Sequence, residues 1–423
     1  MNIEVYPHTL TGNVEAIASK SQAHRLIIAA ALSDKDTTVN INSLSEDIQA
    51  TLNVLDALGA TAQQVDDTKL IISPLTKAKA NARLNCGESG STLRFMLPVA
   101  AALGARDAVF TGEGKLPKRP MEPLLTALAQ KGVVIKGTEL PLRIKGQLEA
   151  GTFSLPGNIS SQFISGLLFA LPLLPEDSSI EITSPRESKG YIDMTIAALK
   201  IFGIQIQETD KGYYIKGGQK YISPGAVKVE GDWSNAAFWF TAGALGKAIT
   251  VTGLDESSYQ GDKAILPILE KMGAKVIRKD NAVTVSPSPL QGIQIDAGEI
   301  PDLVPILSVA AAGAQGKTVI KNAQRLRLKE SDRLLAMNQC LSLLGGDIKE
   351  TEDGLIINGR QKLDGTKVPS FQDHRIVMSM AIASVIAKSP IIIQGAESVK
   401  KSYPHFFRDF QRLGGLVNVI YLR

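Results

Sequence analysis

The segment VEAIASKSQAHRLIIAAAL, residues 14–32, follows a plan that the chain uses again and again: a short extended run, a few small or polar residues, then an Ala/Leu-rich helical stretch leading to a β-branched run. Five further segments share it. They read RLNCGESGSTLRFMLPVAAAL at 83–103, TFSLPGNISSQFISGLLFAL at 152–171, VKVEGDWSNAAFWFTAGAL at 227–245, IQIDAGEIPDLVPILSVAAA at 293–312 and KVPSFQDHRIVMSMAIASVIA at 367–387. With Ser21, Ser91, Ser161, Ser234, Asp302 and His374 as markers, the steps are 70, 70, 73, 68 and 72 residues. A fixed period of this kind is the signature of an internally repeated architecture.

Each segment is followed by a second amphipathic stretch ending in glycine: EDIQATLNVLDALG, EPLLTALAQKG, YIDMTIAALKIFG, AILPILEKMG, DRLLAMNQCLSLLG and HFFRDFQRLG. Gly59, Gly132, Gly203, Gly273, Gly345 and Gly414 are separated by 73, 71, 70, 72 and 69 residues, so an independent marker returns the same period. Glycine at that place predicts a left-handed helix C-cap. The chain is therefore read as six units of about 70 residues, each with two helices and several short strands, an α/β arrangement. They group three and three, with the boundary at the turn-rich KGGQKYISPG around 217–225. The opening strand, Met1 to Val5, lies outside the repeat.

Composition narrows the function classes. A chain of 423 residues, 44% hydrophobic and 21% charged, supports more than one folded core and argues against disorder. A net charge of only +4 with 5% aromatics opposes a nucleic-acid surface, which needs a basic stripe and stacking rings. Cys86 and Cys340 are the two cysteines, without the spacing of a disulfide framework or zinc site. No apolar stretch reaches the roughly 18 residues of a membrane span, and the first residues, MNIEVYPHTL, lack a signal peptide's apolar core. The expectation is a cytoplasmic protein.

The chemistry concentrates at helix starts. Backbone N–H groups and the positive end of the helix dipole make such places anion sites. The first helices carry there Lys20, Ser21 and Arg25; Gly90, Ser91 and Arg94; Ser160, Ser161 and Gln162; Asp302; and Asp373, His374 and Arg375. The second-helix starts add Arg119, Ser188, Tyr191, Lys329, Glu330, Arg333 and Lys401. One serine or aspartate at a helix start reads as an ordinary N-cap. Arg25 and Arg94, however, lie on core-facing helices, where an unpaired charge is costly unless an anion or carboxylate meets it. The residues alone thus point to phosphorylated or carboxylated small molecules bound between two three-unit domains, without metal or cofactor.

SKSQAHR, GESGSTLR, KRPMEPLL, ISSQF, SKGYID, IPD, RLRLKESDR, QDHR and KSYP, in this order, resemble the motifs of the 5-enolpyruvylshikimate-3-phosphate synthase family over nearly the whole chain. The resemblance implies an inside-out α/β barrel in two domains of three βαβαββ units, 18–225 for the first and 1–17 with 226–423 for the second, with the active site in the cleft between them. It also implies transfer of the enolpyruvyl group of phosphoenolpyruvate to the 5-hydroxyl of shikimate 3-phosphate by a monomer. Lys20, Ser21, Arg25, Ser160, Ser161, Gln162, Ser188, Tyr191, Asp302 and Lys329 would surround shikimate 3-phosphate. Lys20, Gly90, Arg94, Arg119, Gln162, Arg333, Arg375 and Lys401 would surround phosphoenolpyruvate, and Lys20, Asp302 and Glu330 would handle protons. A methyl group at Gly90 would intrude more on the inhibitor glyphosate than on phosphoenolpyruvate. Arg325 stands where the family often has asparagine, and Phe95 follows a helix start that differs from the common one.

Two other functions compete. The UDP-N-acetylglucosamine enolpyruvyl transferase is similar in fold and donor, but its loop cysteine is missing from TGEGKLPKR ahead of Arg119. A non-catalytic anion- or RNA-binding module has no need of Lys20, Asp302, Glu330 and Arg375 together, and the weak basic excess opposes it.

Overall fold

A computed structural model describes residues 1–105 and 107–420. Among the described residues six four-stranded sheets carry the fold, and all are built alike. In the second repeat, Arg83–Asn85 runs parallel to Ala108–Thr111, which pairs antiparallel with Leu142–Lys145, and Val134–Lys136 closes the edge. The parallel pair needs a crossover, and the helix Gly90–Ala102 supplies it. The second helix, Glu122–Ala129, then leads into the antiparallel hairpin.

Two compact units result, Ala18–Val229 and Met1–Ile17 with Glu230–Arg423, each containing three of the sheets. Where the chain passes between them, it exchanges strands. Gly12–Glu15 precedes the helix Lys20–Ala31 but pairs with Ile249–Thr252 of the fourth repeat. Ala226–Lys228 precedes the helix Trp233–Leu245 but pairs with Thr37–Asn40 of the first. The expected boundary assigned residues 226–229 to the second domain; this pairing puts them with residues 18–225 instead. Asn2–Val5 is bracketed by Ile391–Gln394 and Val417–Ile420, and so completes the sixth sheet.

The first helices form the cores. Every residue of Gly90–Ala102 except Ser91 is buried, as is all but the last residue of Trp233–Leu245, the pattern of helices surrounded by protein on all sides. Second helices bury one face. The six glycines that follow them all take positive φ, from 74° at Gly345 to 118° at Gly59, where a side chain would be strained. Among the described residues no helix is long and apolar enough to cross a membrane.

Candidate active site

Five first helices begin with a side-chain cap: Ser19, Ser89, Ser160, Asp232 and Asp373 each accept a backbone N–H from the first turn. The caps lie one or two residues before the sequence markers, so Ser21, Ser91, Ser161, Ser234 and His374 stand inside the first turn. The fifth repeat begins differently, with the 3-10 turn Pro301–Leu303 carrying Asp302.

In the unit Ala18–Val229, these starts gather cations. Lys20 Nζ lies 2.7 Å from Asp47 Oδ2. The buried Arg25 guanidinium donates to Ser21 O at 2.6 Å, Thr195 Oγ1 at 2.8 Å and Tyr191 O at 2.9 Å, and rests 5.0 Å from the centre of the Phe95 ring. It meets no carboxylate among the described residues, and burial lowers its pKa to about 10. Arg94 donates to Gln162 Oε1 at 2.7 Å and Pro120 O at 3.1 Å, and Gln162 Nε2 donates to Ser91 Oγ at 2.8 Å. The Arg119 guanidinium lies so close to Gly90 that a Cβ built there would be 2.7 Å from Nη1. Ser160 caps the helix that begins with Ser161 and Gln162. Ser188 is buried in the left-handed region, with φ 57° and ψ 43°, just before the helix that bears Tyr191; such a conformation in a non-glycine residue is costly and clusters at functional sites.

In the other unit the cations are matched by carboxylates. Asp302 Oδ1 lies 2.7 Å from Arg333 Nη1 and 3.5 Å from Lys329 Nζ, while Oδ2 lies 3.3 Å from Arg375 Nη2. Burial pushes the Asp302 carboxyl up, but Arg375, Lys329 and Arg333 outweigh it and hold it well below the usual carboxylate range. Arg333 is almost fully buried; it also meets Glu330 Oε2 at 2.8 Å and Asp373 Oδ2 at 2.8 Å. Burial alone would depress its pKa, yet Asp373, Glu330 and Asp302 raise it. Lys401 Nζ donates to Gln372 O at 2.8 Å, beside the Asp373 cap. Arg325 donates to Gly298 O in the loop ahead of Asp302.

The residues that the resemblance assigns thus divide between the two units. Lys20, Ser21, Arg25, Gly90, Arg94, Arg119, Ser160, Ser161, Gln162, Ser188 and Tyr191 belong to the first, and Asp302, Lys329, Glu330, Arg333, Arg375 and Lys401 to the second. Sequence reasoning missed Asp47, the partner of Lys20, and Asp262, whose carboxylate takes a hydrogen bond from Ser234. Both stand at second-helix starts, of the first and fourth repeats, whereas the chemistry legible in the sequence lies at the second-helix starts of the other four. The period itself was the signal.

The model of the EPSP synthase (3-phosphoshikimate 1-carboxyvinyltransferase) family matches residues 6–410. A 3-phosphoshikimate 1-carboxyvinyltransferase of Clostridium acetobutylicum is 47% identical over 425 residues, 98% of this chain and 98% of the relative. That of Clostridium novyi is 44% identical over 429 residues, 99% of this chain and 98% of the relative. Among solved structures, an EPSP synthase from Acinetobacter baumannii superimposes with a TM-score of 0.83 at 28% identity, covering 99% of this chain and 100% of the other.

Proposed function

The chain belongs to the EPSP synthase (3-phosphoshikimate 1-carboxyvinyltransferase) family, and from that premise we propose that its two residue clusters act on one pair of substrates. The enzyme transfers the enolpyruvyl group of phosphoenolpyruvate to the 5-hydroxyl of shikimate 3-phosphate and releases phosphate. In this reading Lys20, Ser21, Arg25, Ser160, Ser161, Gln162, Ser188, Tyr191, Asp302 and Lys329 hold shikimate 3-phosphate. Lys20, Gly90, Arg94, Arg119, Gln162, Arg333, Arg375 and Lys401 hold phosphoenolpyruvate.

One observation carries the assignment: Arg25 is buried, and its guanidinium meets hydroxyl, carbonyl and ring but no carboxylate among the described residues. An arginine left so is costly unless an anionic ligand completes it. The other cluster supplies proton-handling groups. Attack by the 5-hydroxyl requires a base, and Asp302 is our candidate. In the free protein three cations hold it as a carboxylate of low basicity. Substrate phosphate and carboxylate groups engage the same cations and add negative charge, and both effects raise its proton affinity.

Protonation of the phosphoenolpyruvate methylene falls to Glu330, with Lys20 as its alternative or partner. The proton reaches that carbon, the 5-oxygen bonds to the adjacent one, and the tetrahedral ketal then loses phosphate while the new methyl group returns a proton to the residue that supplied it, which restores the enol double bond. The cations stabilise the phosphate as it leaves. We also propose a cytoplasmic monomer, a setting that suits two buried free cysteines.

The test is phosphate release with each substrate alone and with both. Release that requires phosphoenolpyruvate and shikimate 3-phosphate together is expected. Release with UDP-N-acetylglucosamine in place of shikimate 3-phosphate, or none with any acceptor, would sink the reading.

A further inference from the structure

The fourth repeat supplies none of the residues assigned above to either substrate, yet two of its buried side chains stand behind one of them. Ser234 lies in the first turn of Trp233–Leu245, and Asp262 in the 3-10 turn Gly261–Ala264 ahead of the repeat's second helix. The Ser234 hydroxyl is hydrogen-bonded to Asp262 Oδ2, and the same oxygen lies 2.8 Å from Arg375 Nη2. A guanidinium can only donate, so the Ser234 oxygen accepts from Arg375, and its single proton is committed to Asp262. The direction of both hydrogen bonds is fixed.

We propose that Ser234 and Asp262 are positioning residues for phosphoenolpyruvate: Asp262 orients the Ser234 hydroxyl, and Ser234 in turn sets the aim of the Arg375 guanidinium. The inference rests on the assignment of Arg375 to that substrate. Two further contacts of Arg375 show why such a hold matters. Nη1 donates to the Asp302 carbonyl at 3.0 Å, and Nη2 pairs with the Asp302 carboxylate at 3.3 Å. Both belong to the residue proposed as the base, whereas Ser234 holds Arg375 from outside the reacting groups.

Asp262 is an expensive way to fill space. It is 2% exposed, and its Oδ1 meets no hydrogen-bond partner among the described residues. Burial, with the nearby Asp302 charge, pushes its carboxyl up to about 6, and Arg375 and the Ser234 hydroxyl oppose the rise. A buried carboxylate with one oxygen unpaired costs stability; here the second oxygen fixes a hydroxyl that faces an arginine.

The experiment measures the KM of phosphoenolpyruvate and of shikimate 3-phosphate for Ser234→Ala, Asp262→Ala, their double variant, Asp262→Asn and Arg375→Ala. The asparagine variant would still offer an oxygen to Ser234. The expected result is a rise of about tenfold in the phosphoenolpyruvate KM for both alanine variants, as when one hydrogen bond to a charged group is lost. The double variant should be no worse than Ser234→Ala, the shikimate 3-phosphate KM should stay within about twofold, and Asp262→Asn should restore a near-normal value. Additive losses, an Asn variant as poor as Ala, or equal rises for both substrates would overturn the inference. If Arg375→Ala raises the phosphoenolpyruvate KM while Ser234→Ala and Asp262→Ala do not, the inference fails and the substrate reading stands. If Arg375→Ala leaves it unchanged, the reading itself falls.

Discussion

At Asp302 three cations converge on one carboxylate, so substitution there tests two roles at once. Asp302→Asn keeps the shape and one acceptor oxygen while removing basicity. Turnover should fall by roughly 10² to 10⁴, the usual worth of a positioned base, with both KM values changed only a few-fold. A fall below tenfold would mean that Asp302 only binds. Gly90→Ala reads the other cluster. The added methyl meets the Arg119 guanidinium at 2.7 Å, so the cation must swing aside. The family resemblance implies that a methyl there troubles an inhibitor longer than the substrate; with Arg119 displaced, the proposed assignment has phosphoenolpyruvate lose a contact as well. Its KM should rise clearly above the wild-type value in steady-state assays, and an unchanged KM would show that Arg119 accommodates the methyl without leaving the substrate.

Helix packing sets how well these side chains can be aimed. A Cβ on Gly166 would lie 2.2 Å from the Arg94 carbonyl oxygen and 3.0 Å from Pro98 Cγ, so the helices Ser161–Ala170 and Gly90–Ala102 touch through bare backbone. Gly166→Ala should force them apart, costing roughly 1–3 kcal/mol as overpacking does, measurable by denaturant titration. It should also loosen the Arg94–Gln162 bond carried by the same pair. Nearby, a buried chain runs from His24 Nδ1 through Thr51 and Thr92 to Ser89, tying the first repeat's helices to the Ser89 cap. Burial, then the charges of Lys20 and Arg25, hold the His24 pKa well below its ordinary value. Below about pH 6.5 the unfolded chain binds a proton there that the folded chain refuses, so this residue makes stability fall as pH drops. Denaturation midpoints between about pH 7.5 and 5.5 should decline more steeply in the wild type than in His24→Gln; parallel declines would place the effect elsewhere.

The helices, their glycine caps and the period were legible because local chemistry decides them: Gly59 and its equivalents need positive φ, and the Ala/Leu stretches from Leu26 or Phe95 onward can only be buried. The strand exchange was not legible. Gly12–Glu15 and Ala226–Lys228 have the same extended character, and which partner each takes is decided by the fold of a whole unit. Asp47 and Asp262 escaped for a similar reason, since an acidic residue near a helix start reads as a cap until the residue it faces is known. In space, five of the six repeats share one arrangement. The first and second helix starts of a repeat meet as Lys20 with Asp47, Gly90 with Arg119, Ser234 with Asp262, Asp302 with Arg333, and Gln372 with Lys401.

For the molecule as a whole, the proposed function assigns to phosphoenolpyruvate an arginine from each unit, Arg119 of Ala18–Val229 and Arg375 of Met1–Ile17 with Glu230–Arg423. The most direct measurement is the phosphoenolpyruvate KM of Arg119→Ala, Arg375→Ala and their combination, one arginine from each unit. Each single change should raise it by about tenfold to a hundredfold, the worth of a hydrogen bond to a charged group, and the combination should be worse than either. A wild-type KM after removing either arginine would contradict the proposal, because that arginine would then not hold the substrate.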